Sequence, residues 1–190
     1  MKSSTEADAA WADAPLFAPP DSMDHANLEQ EFDRLLAANG PALARLAASY
    51  TNTSSDRDDL VQEIALAVWQ ALRTFRGECS ARTFLFRIAH NRAIAYLARS
   101  RTQFPAAGAE SEPHDPAPDP ESGLAREQTA ERLRGAIHRL PLVYRQVIML
   151  ALEDMGYAEI AEVLGISESN VGARLSRARQ LLRESLEKRK

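Results

Sequence analysis

With Cys79 as its one cysteine among 190 residues, the chain cannot close an internal disulfide, and a reducing compartment is the simpler assumption. No apolar run approaches the ~18–20 residues that a bilayer span needs. The N-terminus is acidic and has no long apolar core, so it does not read as a signal peptide. Together these absences predict a cytoplasmic protein. Catalytic signatures are missing too. His25, His90, His114 and His138 are scattered, none of them at a metal-ligand spacing from Cys79. There is no Gly-rich phosphate loop and no nucleophile elbow. No enzymatic activity, metal or cofactor is therefore expected. His90 and His138 are expected to be helix-surface or partly buried structural residues. A redox or metal role stays open for Cys79, in the loop "RGECS".

A basic excess is also lacking, since the net charge is −4. The acidity is local, however. Residues 1–27 carry one lysine against five acids, and residues 103–125 carry five acids and no Lys or Arg. The segments 28–102 and 126–190 are then +2 and +3. Global charge is thus no argument against a nucleic-acid partner. The first 27 residues, rich in Ala, Asp, Pro and Ser, read as a disordered acidic extension. The segment 103–123 has five prolines and no aliphatic residue larger than Ala. It cannot bury enough apolar surface to offset its ordering entropy, so 103–125 reads as a flexible linker between two folded units.

Both units read as helical, and no stretch shows a period-two strand pattern. The fold class is all-α, two small helical domains. "LEQEFDRLLAA" sets Leu28, Phe32, Leu35 and Leu36 at helix spacing, and "NGP" is expected to end that helix and start another that buries Leu43, Leu46 and Tyr50. Asp56 is the expected N-cap of "RDDLVQEIALAVWQALRTF". A further helix runs through "SARTFLFRIAHNRAIAYLARSR". After the linker come "LAREQTAERLRGAIHRL" and, opened by Pro141, "PLVYRQVIMLALEDM".

The most specific string is "YAEIAEVLGISESNVGARLSRARQLL". Gly165 stands where a helix end needs a left-handed residue, Ile166 can plug the turn, and Ser167 can cap the next helix. Ala161 is small where two helices would cross closely. These features describe a helix-turn-helix with 168–183 as recognition helix. At 100° per residue, Val171, Leu175, Ala178 and Leu182 fall within about 60° of each other. Ser169, Ala173, Ser176 and Arg177 lie roughly opposite, with Arg174 on the flank. Small residues allow approach to base edges, and arginines can grip phosphate or guanine. From Gly172 to Lys190 there are seven basic and two acidic residues, a local positive field. A basic helix alone could be merely solvated, but the turn signature favours DNA.

Two faces of the N-terminal unit stand out. Opposite the core stripe Leu60, Val61, Ile64, Val68 and Leu72 lie Asp59, Gln62, Glu63 and Leu66, with Trp69 at the border. Apolar groups beside carboxylates suit a protein contact more than a plain solvent face. Farther on, Phe84, Arg87, Asn91 and Ile94 share a helix face. An aromatic, an arginine and an amide are what unstacked bases need, although a phenylalanine at such spacing is more often core.

"DLVQEIALAVWQALRTFRGECSARTFLFRIAHNRAIAYLARSR", a loose linker and "LPLVYRQVIMLALEDMGYAEIAEVLGISESNVGARLSRARQLL", in that order, closely resemble the extracytoplasmic-function class of bacterial sigma factors. The resemblance covers roughly 28–102 and 126–186. It implies that 28–102 is the family's domain two and 126–190 its domain four. Asp59, Gln62, Glu63, Leu66 and Trp69 would then dock on the clamp helices of core RNA polymerase. Arg76, Phe84, Arg87 and Asn91 would open the minus-ten promoter element and hold its non-template strand. Ser169, Ala173, Arg174, Ser176 and Arg177 would read the minus-thirty-five element as duplex, and the linker would thread toward the RNA-exit region. An anti-sigma protein as inhibitory partner is implied, as is a monomeric free chain. Two departures concern promoter choice: relatives often carry a basic residue at the position of Gly172 and a bulkier one near Ser176. The rival readings are a stand-alone helix-turn-helix regulator on duplex operators and a protein-binding adaptor. The first leaves the acidic-apolar face at 59–69 without a role, and the second would use the helix-turn-helix only as a scaffold.

Overall fold

A computed structural model of the chain describes residues 25–103 and 123–187, with side chains described for 27–100 and 130–187. The expectations of a disordered 1–27 and a flexible 103–125 therefore lie outside the described residues, apart from their margins. At those margins the first helix begins at His25 and the fourth at Gly123.

Among the described residues there are seven helices and no strand: α1 His25–Ala48, α2 Ser54–Leu72, α3 Ala81–Gln103, α4 Gly123–His138, α5 Leu142–Leu152, α6 Tyr157–Leu164 and α7 Glu168–Glu187. The all-α, two-unit expectation holds, α1–α3 forming one unit and α4–α7 the other.

α1 is one helix and not the two that "NGP" suggested. Pro41 lies inside it. A proline there leaves the Ala37 carbonyl without its donor, but Ala37 and Pro41 are both exposed, where water can serve that carbonyl. The buried Asn39 amide donates to Leu35 O at 2.9 Å. Leu28 and Leu35 before the proline, and Leu43 and Leu46 after it, are all buried, so the apolar stripe continues across it. That tertiary burial outweighs the local breaker signal.

The α2 cap is likewise one turn earlier than expected. Thr53, with extended backbone (φ −121°), accepts from the Asp56 N–H at 3.0 Å through its hydroxyl. Asp56 sits in the first turn, where a carboxylate favours the helix dipole. At the start of α3 the Ser80 hydroxyl accepts from Thr83 N–H at 2.9 Å. α3 is the most enclosed helix of its unit, with Leu85, Phe86, Ala89 and Ala93 at zero exposure and Thr83, Phe84 and His90 also buried. It packs on α1, α2 and α6.

In the second unit α5 buries four consecutive residues, Val147 to Leu150. It ends at Leu152, because Asp154 takes a left-handed conformation (φ 57°) and Met155 N–H returns to Leu150 O. The turn between α6 and α7 follows the sequence expectation. Gly165 is left-handed (φ 65°, ψ 35°), the Ile166 N–H reaches Ala161 O at 3.0 Å, and Ser167 Oγ accepts from Asn170 N–H at 3.3 Å. Val171, Leu175, Ala178 and Leu182 of α7 are buried. Burial of each leucine or valine among them contributes about 1.5–3 kcal/mol relative to exposure. That seam fixes which face of α7 looks outward.

The two units do not stand apart. One apolar core runs from Leu43, Leu46 and Ala47 of α1 through Phe86, Ala89 and Ala93 of α3 to Val147, Leu150, Ile160 and Val163. A smaller cluster, Leu28, Leu35, Leu72 and Phe84, closes the far end of the first unit.

Candidate nucleic-acid interface

On α7, Ser169, Ala173, Ser176 and Arg177 are exposed on one side, as the helix spacing requires. Arg174 is half-buried, and its Nε donates to Asn170 Oδ1 at 2.9 Å. Arg177 donates to Gln180 Oε1 at 2.9 Å, and Gln180 in turn to Glu184 Oε1 at 3.0 Å, a surface row that aligns the guanidinium along the helix. Tyr157 at the start of α6 is 46% exposed, and a Cβ on Gly172 would lie 3.5 Å from its ring. That is ordinary van der Waals contact, so an exposed tyrosine lies against the edge of the reading face. Spacing within α7 alone did not reveal this neighbour.

On α2, Asp59, Gln62, Glu63 and Leu66 are exposed, Leu66 at 59%. Both Glu63 oxygens accept from Arg99 Nη2, at 2.9 and 2.7 Å. Trp69 is half-buried and meets Phe32 edge-on, ring centroids 5.2 Å apart. A shallow groove lined by Glu29, Phe32, Asp33 and Trp69 continues this surface onto α1. The sequence reading missed the α1 residues, because only tertiary packing puts them beside Trp69.

The α3 quartet is divided. Arg76 is exposed in the preceding loop, and Asn91 is half-buried. Phe84, however, is a correction: it is buried, 4.4 Å from the Phe75 ring centroid and packed with Leu28, Leu35 and Leu72. It supports the end of the bundle and presents no face for a base to stack on. Arg87 gives its Nη2 to Glu162 Oε1 of α6 at 2.7 Å. Of the 84/87/91 face, Phe84 is thus covered within its own unit and Arg87 is engaged by the second. The other histidine and thiol groups are structural in placement. His90 is buried, against the surface or partly buried position expected, and desolvation holds its ring pKa down at about 4. Burial, and then the nearby Glu162 carboxylate, raise the Cys79 thiol pKa, which works against thiolate chemistry.

Against known families, residues 35–103 match the Sigma-70 region 2 model and residues 130–182 the Sigma-70, region 4 model. The RNA polymerase sigma factor CnrH of Cupriavidus metallidurans is 32% identical over 166 residues, spanning 81% of this chain and 85% of that protein. The chain belongs to the sigma-70 family of RNA polymerase sigma factors. Among its relatives the ECF RNA polymerase sigma factor SigM of Mycobacterium tuberculosis is 32% identical over 153 residues, 80% of this chain and 74% of that one. This sigma factor is of the same extracytoplasmic-function type. It is therefore a transcription initiation factor and not an enzyme. Its fold matches a solved structure of CnrH in complex with the cytosolic domain of CnrY, with a TM-score of 0.61 and 30% identity over 84% of this chain and 89% of that one. It also matches the sigma factor RpoE bound to the anti-sigma factor NepR from Bartonella quintana, with a TM-score of 0.69 at 23% identity over 83% and 98% of the two chains. Among the described residues, no helix is long and apolar enough to cross a membrane.

Proposed function

We propose that this sigma factor divides its work between residues 28–102, which bind core polymerase and the minus-ten element, and residues 126–190, which bind the minus-thirty-five element. Asp59, Gln62, Glu63, Leu66 and Trp69 form the polymerase contact, widened by Phe32. Its chemistry, exposed carboxylates around an apolar centre, fits a basic helical surface. On α7, Ser169, Ala173, Arg174, Ser176 and Arg177 read duplex DNA in the major groove. Arg76, Arg87 and Asn91 hold the non-template strand, and Phe84 stiffens the bundle beneath them. The protein acts in the cytoplasm, as a monomer when free. An anti-sigma protein restrains it by covering the α2 face, in keeping with the partners named for the CnrH and RpoE structures.

The observation that carries this reading is the outward face of α7. A buried seam locks the helix in rotation while its small and arginine residues stay uncovered. The test combines the full chain with core polymerase and a promoter library. Free protein is expected to show little sequence-specific binding, while the holoenzyme selects and transcribes particular promoters. Strong, salt-resistant operator binding by the isolated chain would replace this reading with the stand-alone regulator.

A further inference from the structure

The acids of the first unit are unevenly compensated. Glu31 is paired with Arg34 at 3.7 Å, Asp58 with Arg57 at 2.8 Å and Glu63 with Arg99 at 2.7 Å. Glu29 and Asp33, both exposed on α1, meet no cation among the described residues. They stand one turn apart, where i,i+4 neighbours have Cβ atoms roughly 5–6 Å from each other. Beside them lies the groove toward α2, about 310 Å³ in volume, with Phe32 and Trp69 as its apolar walls. Both rings are half-buried, so part of each aromatic surface stays open. Along α2, Gln62, Leu66 and Trp69 follow one another at helix spacing, so the groove is continuous with the α2 face described above.

We propose that this groove seats one arginine of the polymerase surface that docks on α2, its guanidinium stacked on the aromatic wall and held by Glu29 and Asp33. The proposal rests on the reading of the α2 face as the polymerase contact, and adds the side chain that α1 recognises. Charge selects the occupant first. Uncompensated carboxylates and aromatic faces both attract positive charge, so a cation is favoured over an apolar or anionic group. Shape then selects arginine over lysine. A planar guanidinium can lie flat on a ring while its N–H fork reaches two carboxylates, whereas an ammonium is a compact, strongly hydrated point charge. The methylene stem of such a side chain packs on Trp69 and on Leu66, which is 59% exposed, while the charged head stays at the rim. The groove is shallow and at the small end of ligand sites, which suits a side chain inserted from a protein surface and not a free metabolite. Glu29 and Asp33 break no ion pair among the described residues to accept it, whereas Glu63 must first give up Arg99.

The test measures binding of the full chain to core polymerase, by competition with a labelled copy at several salt concentrations. Glu29→Gln with Asp33→Asn removes both charges and keeps the shape, and Trp69→Leu removes the aromatic wall. Gln62→Ala with Glu63→Ala is the reference for the α2 face. The charge variant is expected to bind about tenfold more weakly, with a flatter salt dependence. Trp69→Leu should lose a similar amount, and the two changes together little more, since both act on one partner side chain. If Trp69→Leu fails to fold, the charge variant and its salt slope carry the test, because both carboxylates are exposed. p-Benzoylphenylalanine in place of the exposed Ala37, one turn beyond Asp33, identifies the occupant by cross-linking. The captured polymerase peptide is expected to carry an arginine whose replacement by glutamine costs nothing further in the charge variant. A captured peptide without arginine overturns the proposal. So does an unchanged affinity of the charge variant while Gln62→Ala with Glu63→Ala weakens binding, and the α2 reading then stands alone. Full affinity in both variants removes the reading and the proposal together.

Discussion

Acidifying the protein should weaken it through one side chain, His90. The ring lies in α3 at 7% exposure, against Gln146 of α5, and burial holds its pKa at about 4 instead of 6.5. The folded state therefore keeps the ring neutral where the unfolded chain has already protonated it. A depressed histidine contributes stability in full above pH 6.5, and this is lost as the pH falls toward 4. At 1.36 kcal/mol per unit, the loss by pH 4.5 is about 2–3 kcal/mol. His138, half-buried and depressed in the same direction by desolvation and by Arg145, adds to the slope. His90→Gln removes the titration while keeping a polar group of similar reach. Urea unfolding followed by far-ultraviolet circular dichroism between pH 7.5 and 4.5 should give a steep decline for the parent and a shallower one for the variant. The gap between them at pH 4.5 should differ from that at pH 7.5 by about 2–3 kcal/mol. Parallel curves would refute the reasoning and with it the burial of His90 between the two units.

Other outcomes follow from the same geometry. Gln62→Ala with Glu63→Ala should weaken core polymerase binding in a competition assay and leave the helical content unchanged, because both side chains are exposed. Unaltered affinity would remove the α2 face from the polymerase contact. Arg177→Ala should cost about 1–3 kcal/mol in promoter discrimination, measured as holoenzyme binding across base-substituted minus-thirty-five elements. An equal loss on every sequence would mark Arg177 as a phosphate contact. Leu175→Ala, at zero exposure in the α7 seam, should lower stability by about 2–5 kcal/mol in denaturant unfolding, and a change below 1 kcal/mol would show that the seam is not packed.

The helix-turn-helix was legible because short-range chemistry specifies it. A left-handed glycine, a serine cap and a four-residue apolar stripe lie within 18 residues of one another, and each acts on its neighbours. The α2 core stripe was legible for the same reason of periodicity. Local signals failed where distant burial outweighed them. Pro41 and Asn39 read as a break, yet the apolar stripe is buried on both sides of them, Leu28 and Leu35 in the smaller cluster and Leu43 and Leu46 in the main core. Phe84 shares a helix face with Arg87 and Asn91, but α3 is enclosed on nearly every side, and Phe75, Leu72 and Leu35 claim the ring. The seam between units was invisible to any window, since Arg45 and Glu153 stand 108 residues apart and Arg87 and Glu162 stand 75 apart. Periodicity marks outward charges without saying whether solvent, nucleic acid or another part of the same chain will meet them.

Permanganate footprinting of a cognate promoter, with core polymerase present and this chain added or withheld, tests the assignment most directly. Thymines of the minus-ten non-template strand should become reactive only when polymerase and chain are together, and reactivity should fall with Arg87→Ala. Thymines that stay unreactive with both components present, on every promoter of a diverse library, would contradict it.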